Sequence, residues 1–104
     1  MSDTLILEEN LPVPLHFLSE KALEKWGEDA QINQAIEEMA ELTVALNHYR
    51  RGRKTKEDVA AEWADVLIML SQLEVVIGRE DTEIAFAFKY GRLAERLGHP
   101  IIES

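Results

Sequence analysis

The sequence predicts an all-α protein, a four-helix bundle-like protomer that associates with further copies of itself. Three observations predict it. Apolar residues recur at spacings of three and four along successive stretches, the period of a packed helix face. Glycines at positions 27, 52, 78 and 98 punctuate those stretches, and glycine is a common helix stop. The chain has 104 residues, 46% of them hydrophobic. That suits one domain with a modest core, which association would enlarge.

Residues 1–13 form an N-terminal arm, with "ENLPVP" as a turn and a short extended piece. Residues 14–104 form a single all-α domain. Pro14 suits the first turn of a helix. "LHFLSEKALEKWG" then sets Leu15, Leu18, Ala22 and Trp26 on one face, with Gly27 as the stop. Asp29 is the expected cap of the second helix. Ile32, Ile36, Met39, Thr43 and Leu46 form its expected packed face, and "YRRGRK" ends it with cations and Gly52. Thr55 and Asp58 resemble a capping box with a shortened acid, opening the third helix. Val59, Trp63, Val66, Leu70, Leu73 and Ile77 share its stripe, and Gly78 stops it. Asp81 or Thr82 is expected to start the fourth helix, with Ile84 and Phe88 on its apolar side and Gly98 and Pro100 closing it.

The net charge of −9 argues against binding along a nucleic-acid backbone, which needs clustered cations. The absence of cysteine excludes disulfides and thiolate metal sites. No long uncharged apolar run offers a membrane span. The first residues lack the basic and apolar regions of a signal peptide, so the expected location is cytoplasmic.

The informative residues are acids. Glu37, Glu38 and Glu41 crowd into little more than one turn of the second helix, where like charges repel. Glu62 and Asp65 follow on the third. Residues three apart face the same way on a helix, so Glu38 with Glu41, and Glu62 with Asp65, form two carboxylate claws. Glu62 falls inside the apolar stripe of its helix, and a buried ionised carboxylate needs a partner. The nearest cations, Arg50, Arg51, Arg53, Lys54 and Lys56, belong to the hairpin's loop end, one or more turns from the acids. A divalent cation between the helices is the simpler compensation. Mg²⁺, or Mn²⁺ in its place, prefers oxygen ligands, and Mg²⁺ often takes substrate phosphates as well. A single E-x-x-E usually coats a solvated helix face; two claws on consecutive helices are more specific.

"EEMAE" followed by "EWAD" resembles the E-E-x-x-E…E-x-x-D signature of the MazG-like all-α nucleoside triphosphate pyrophosphohydrolases. "KWGEDAQINQAIEEMAELTVAL" and "EDVAAEWADVLIMLSQL" resemble the same family, so the likeness spans roughly residues 21–77. It implies Mg²⁺-dependent cleavage of the α–β phosphate bond of a nucleoside triphosphate, giving monophosphate and pyrophosphate. It also implies a homodimer or homotetramer. By the resemblance, Glu38, Glu41, Glu62 and Asp65 would be metal ligands, and Glu37 would lie near the phosphates or the attacking water. Glu37 or Glu41 would be the catalytic base. The phosphoribosyl-ATP pyrophosphohydrolase of histidine synthesis shares the signature and is the alternative enzyme.

Substrate contacts follow with less force. Lys89 and Arg96 recur at helical spacing on the last helix, where the family often places basic residues. Cations near a helix C-terminus also suit its dipole without any ligand. Trp26 would stack on a base, and Gln31 or Gln34 would hydrogen-bond one. Trp63, between the two acids of its claw, is expected to pack in the core. A reading of another class is a non-catalytic helical module for dimerisation or nucleotide sensing.

Overall fold

The computed structural model describes residues 11–100. The expected arm lies mostly outside them. The described residues form four helices and no strand: α1 (Leu15–Trp26), α2 (Glu28–Arg50), α3 (Lys56–Ile77) and α4 (Arg79–Arg96). No helix among them is long and apolar enough to cross a membrane.

Two of the three connections are single glycines. Gly27 (φ 92°) ends α1 and begins α2, and Gly78 (φ 114°) does the same between α3 and α4. A side chain is strained at such positive φ, so glycine takes both corners. Sharing one residue moves the helix starts. Neither Asp29 nor Asp81 is a cap; both lie in a first turn, where their charge favours the helix dipole. Thr82, one turn into α4, donates to the Arg79 carbonyl at 2.9 Å. The third connection is longer, and its two caps follow the sequence closely. Thr55 Oγ1 accepts from the Asp58 N–H at 3.1 Å, and Asp58 Oδ2 accepts from the Thr55 N–H at 2.9 Å.

Helices α2 and α3 form the principal hairpin, and α1 packs mainly on α3. The buried residues are small or polar for the most part: Ala35, Ala45, Val66 and Met69, with Ser19, Gln31 and Gln72. Ser19 and Ser71 share a 2.7 Å hydrogen bond between their hydroxyls. Small side chains let the helix axes approach, and paired polar groups avoid the cost of burial.

This core corrects the expected stripes. On α2, Ile36, Met39, Thr43 and Leu46 are exposed; the inner face runs through Gln31, Ala35 and Ala45 instead. On α3, Val66 is buried as expected, but Trp63, Leu70 and Ile77 face outward at intervals of seven residues, while Met69 and Gln72 face inward. On α1, Leu18 and Trp26 are exposed and Ser19 is buried. Both faces of α2 and α3 carry apolar residues, and close approach selects the face with the smaller ones. Trp63 is 48% exposed, so its expected place in the protomer core is wrong. Helix α4 buries no residue, and it meets chiefly α3.

Candidate metal centre

The acid cluster is built by the α2–α3 hairpin. Glu38 and Glu41 come from one turn of α2, and Glu62 faces them from α3. One carboxylate oxygen from each lies within 4.8 Å of the other two. Gln34 Nε2 donates to Glu38 Oε2 at 2.7 Å, one turn back along α2. The remaining Glu38 Oε1 and Glu62 Oε1 are buried and have no hydrogen-bond partner. An unpartnered buried carboxylate oxygen is costly, and two beside a third acid cost more. Glu41 registers the crowding. Its pKa is raised, first by the charge of Glu38, then by desolvation and by the charges of Glu62 and Glu37.

These residues fit a hard divalent cation. The donor set is all oxygen, drawn from two elements, and two of its buried oxygens lack any other partner. An all-oxygen set suits hard divalent ions as a class, Mg²⁺, Mn²⁺ and Ca²⁺ among them.

The other expected site residues divide around the cluster. Glu37 is exposed and affects Glu41 through its charge. Asp65 is exposed and lies outside the group formed by the other three acids. Gln31 is buried, and its Nε2 donates to Gln72 Oε1 at 2.7 Å, so one of its two donor hydrogens is committed internally. Trp26 is 57% exposed at the α1–α2 corner, with Lys25 Nζ 5.3 Å from its ring centroid. Lys89 and Arg96 lie exposed on α4. That helix leaves the far end of α3, about 24 Å of helix beyond Glu62.

Lys54 is closer to the acids than its sequence position suggested. It lines a depression of about 300 Å³ with Ala40, Glu41, Val44, Ala45 and Glu62. The caps explain its placement. The Arg53 N–H bonds the His48 carbonyl at 2.8 Å and the Gly52 N–H bonds the Tyr49 carbonyl at 2.9 Å, the paired bonds of a Schellman turn. The capping box begins at Thr55. Lys54 is the single residue between the two motifs. The adjacency of "RGRK" and a Thr-x-x-Asp box was the available signal.

No family model matches the chain, and no curated protein or solved structure matches it either.

Proposed function

We propose that the protein is an Mg²⁺-dependent nucleoside triphosphate pyrophosphohydrolase that releases a monophosphate and pyrophosphate. The observation that carries this reading is the three-carboxylate cluster with two buried, unpartnered oxygens. A set of acids serving only solubility would turn its oxygens to water. Glu38, Glu41 and Glu62 would hold the ion, and exposed Asp65, one turn along α3, would supply a further oxygen. When bound, the ion neutralises charge on phosphate oxygens and eases deprotonation of the attacking water. Glu41 and its neighbour Glu37 are the candidate proton acceptors. Lys89 and Arg96 would bind phosphate, and Trp26 would stack on the base. Turnover and metal affinity both unchanged in Glu37→Gln would remove Glu37 from the role of base.

Association of copies belongs to the same proposal. A groove of about 400 Å³ runs past Leu42, Leu46, Tyr49, Val59 and Trp63 on the outer side of the hairpin. Phe88 on α4 is 63% exposed. Exposed apolar surface is common at protein–protein interfaces, and a homodimer or homotetramer would cover it. The same surface favours the second reading, a helical dimerisation or nucleotide-sensing module without turnover.

Product analysis separates these readings. The protein is incubated with Mg²⁺ and a panel of ribo- and deoxynucleoside triphosphates and phosphoribosyl-ATP, and the products are resolved chromatographically. Monophosphate plus pyrophosphate, absent with Glu62→Gln, is the expected result. Activity on phosphoribosyl-ATP alone selects the alternative enzyme. Diphosphate plus phosphate places the cut at another bond and refutes the proposal. Nucleotide binding without turnover selects the sensor.

A further inference from the structure

We infer that Lys54 is the ligand of the pyrophosphate end of the substrate, and that it fixes the direction in which the triphosphate lies along the hairpin. The inference rests on the metal-dependent reading of the acid cluster. Its own evidence lies in the depression beside that cluster.

Of the residues lining the depression, only Glu41, Glu62 and Lys54 are charged; Ala40, Val44 and Ala45 make the rest. Small apolar side chains leave room and offer an anion no competing donors. A cation held by Glu41 and Glu62 would therefore face one ammonium, that of Lys54, across the depression. A phosphate chain bridging the two satisfies both. Lysine acts there as a point charge with three donors, a common arrangement for phosphate.

Lys54 is exposed, and of the eleven Lys and Arg only Lys21 and Arg79 form ion pairs among the described residues. Two features nonetheless leave Lys54 available to an anion at this site. The first is its pairing. Among the described residues no carboxylate oxygen lies within ion-pair distance of its ammonium, although Lys21 and Arg79 do make ion pairs. Its charge reaches Asp58 and helps to lower the pKa of that acid, but the Asp58 carboxylate is occupied by Thr55. The second is its backbone. The Schellman turn before it and the capping box after it hold both flanking residues by hydrogen bonds. A residue fixed on both sides loses less freedom on binding an anion.

Direction follows from the order along the hairpin. Lys54 is at the loop end, and the acids come next. The α1–α2 corner with exposed Trp26 is at the opposite end of α2. A triphosphate with its terminal phosphates toward Lys54 points its nucleoside toward that corner. The leaving pyrophosphate would then stay beside Lys54 after the α–β bond breaks.

The test is calorimetric titration of the full chain with inorganic pyrophosphate, with and without Mg²⁺, for the wild type and for Lys54→Ala. Mg²⁺ alone is titrated into both proteins, and thermal unfolding confirms that the variant is folded. In the presence of Mg²⁺, Lys54→Ala should weaken pyrophosphate binding about 10- to 100-fold, the loss expected for a charged hydrogen-bonding partner. Its Mg²⁺ affinity should stay equal to the wild type's or rise, because a neighbouring positive charge is gone. Equal pyrophosphate affinity in the two proteins, with Mg²⁺ binding intact, overturns the role of Lys54 and leaves the metal centre standing. A wild type with no Mg²⁺-dependent pyrophosphate binding overturns the inference, and one that also binds no Mg²⁺ overturns the metal reading with it.

Discussion

Replacing Glu62 by glutamine tests the metal centre with almost no change of volume. Without metal, the substitution removes one of three charges whose oxygens lie within 4.8 Å of one another. At that separation the repulsion between Glu62 and Glu38 is about 1 kcal/mol in water and about 3 kcal/mol at an effective dielectric of 20. The lower figure suits a partly solvated pair. The new amide also brings a donor to a site where Glu38 Oε1 has none. Glu62→Gln should therefore raise the metal-free Tm by about 5 °C for a domain of this size. With Mg²⁺ at a hundred times its Kd, the wild type gains about 2.7 kcal/mol, or about 13 °C. The variant, short of a ligand, should gain little. The order of the two Tm values should thus invert between EDTA and Mg²⁺. Scanning calorimetry reads this directly, with ionic strength matched by NaCl because screening alone also relieves repulsion. An equal Mg²⁺ increment in both proteins, or one reproduced by NaCl, would refute the argument.

Further outcomes follow from the same geometry. Glu41 has a raised folded-state pKa, so the folded protein holds that proton more tightly than the unfolded chain. Metal-free stability should fall as pH rises from the ordinary carboxylate range through the raised value, and Glu41→Gln should flatten that slope in a pH series of Tm values. Asp58 is shifted the other way by its bonds to Thr55. Its contribution should be present above the ordinary carboxylate pKa and lost as pH falls through the lowered one, a loss absent in Asp58→Asn. Thr55→Ala, which removes the box, should cost about 1 kcal/mol and lower Tm by about 5 °C. If copies associate through the outer face of α3 as proposed, Trp63→Glu should reduce the mass measured by light scattering to that of a single chain; a wild type that already has that mass, or a variant with the wild-type oligomer mass, would refute this interface.

Much of the fold was legible because its signals are local. The Thr55–Asp58 box needs only residues three apart, and it forms as read. The helix stops at Gly27 and Gly78 were equally plain, but the starts after them were not. A single glycine serves both helices, which leaves Asp29 and Asp81 nothing to cap. The packed faces were misread for a tertiary reason. Hydrophobic size drew attention to Ile36, Leu46 and Trp63, whereas the hairpin closes on Ala35, Ala45 and Met69 together with Val66, which the expected stripe did include. Helical phase was enough to bring Glu38, Glu41 and Glu62 together. It did not settle Asp65: Glu38 and Glu41, also three apart, both reach the cluster, whereas Asp65 is exposed and lies outside it, because position across the hairpin and not helical phase alone decides which acids meet. Lys54 was set too far from the acids with the other loop cations, because its position depends on two caps meeting around it.

The distribution of charge on the hairpin bears on why these acids exist. Arg50, Arg51, Arg53, Lys54 and Lys56 all belong to the same hairpin. Among the described residues, none of them forms an ion pair with the cluster. Arg50 donates instead to Asn47 Oδ1 at 3.0 Å. A hairpin shaped only for stability would bring one of these cations onto Glu38 or Glu62, or carry glutamine there. This one keeps its carboxylates close, buries an oxygen of each of two, and leaves the cluster without a cation. That arrangement costs stability in the isolated chain, and a divalent ion bound as proposed would turn the same geometry from a cost into a gain.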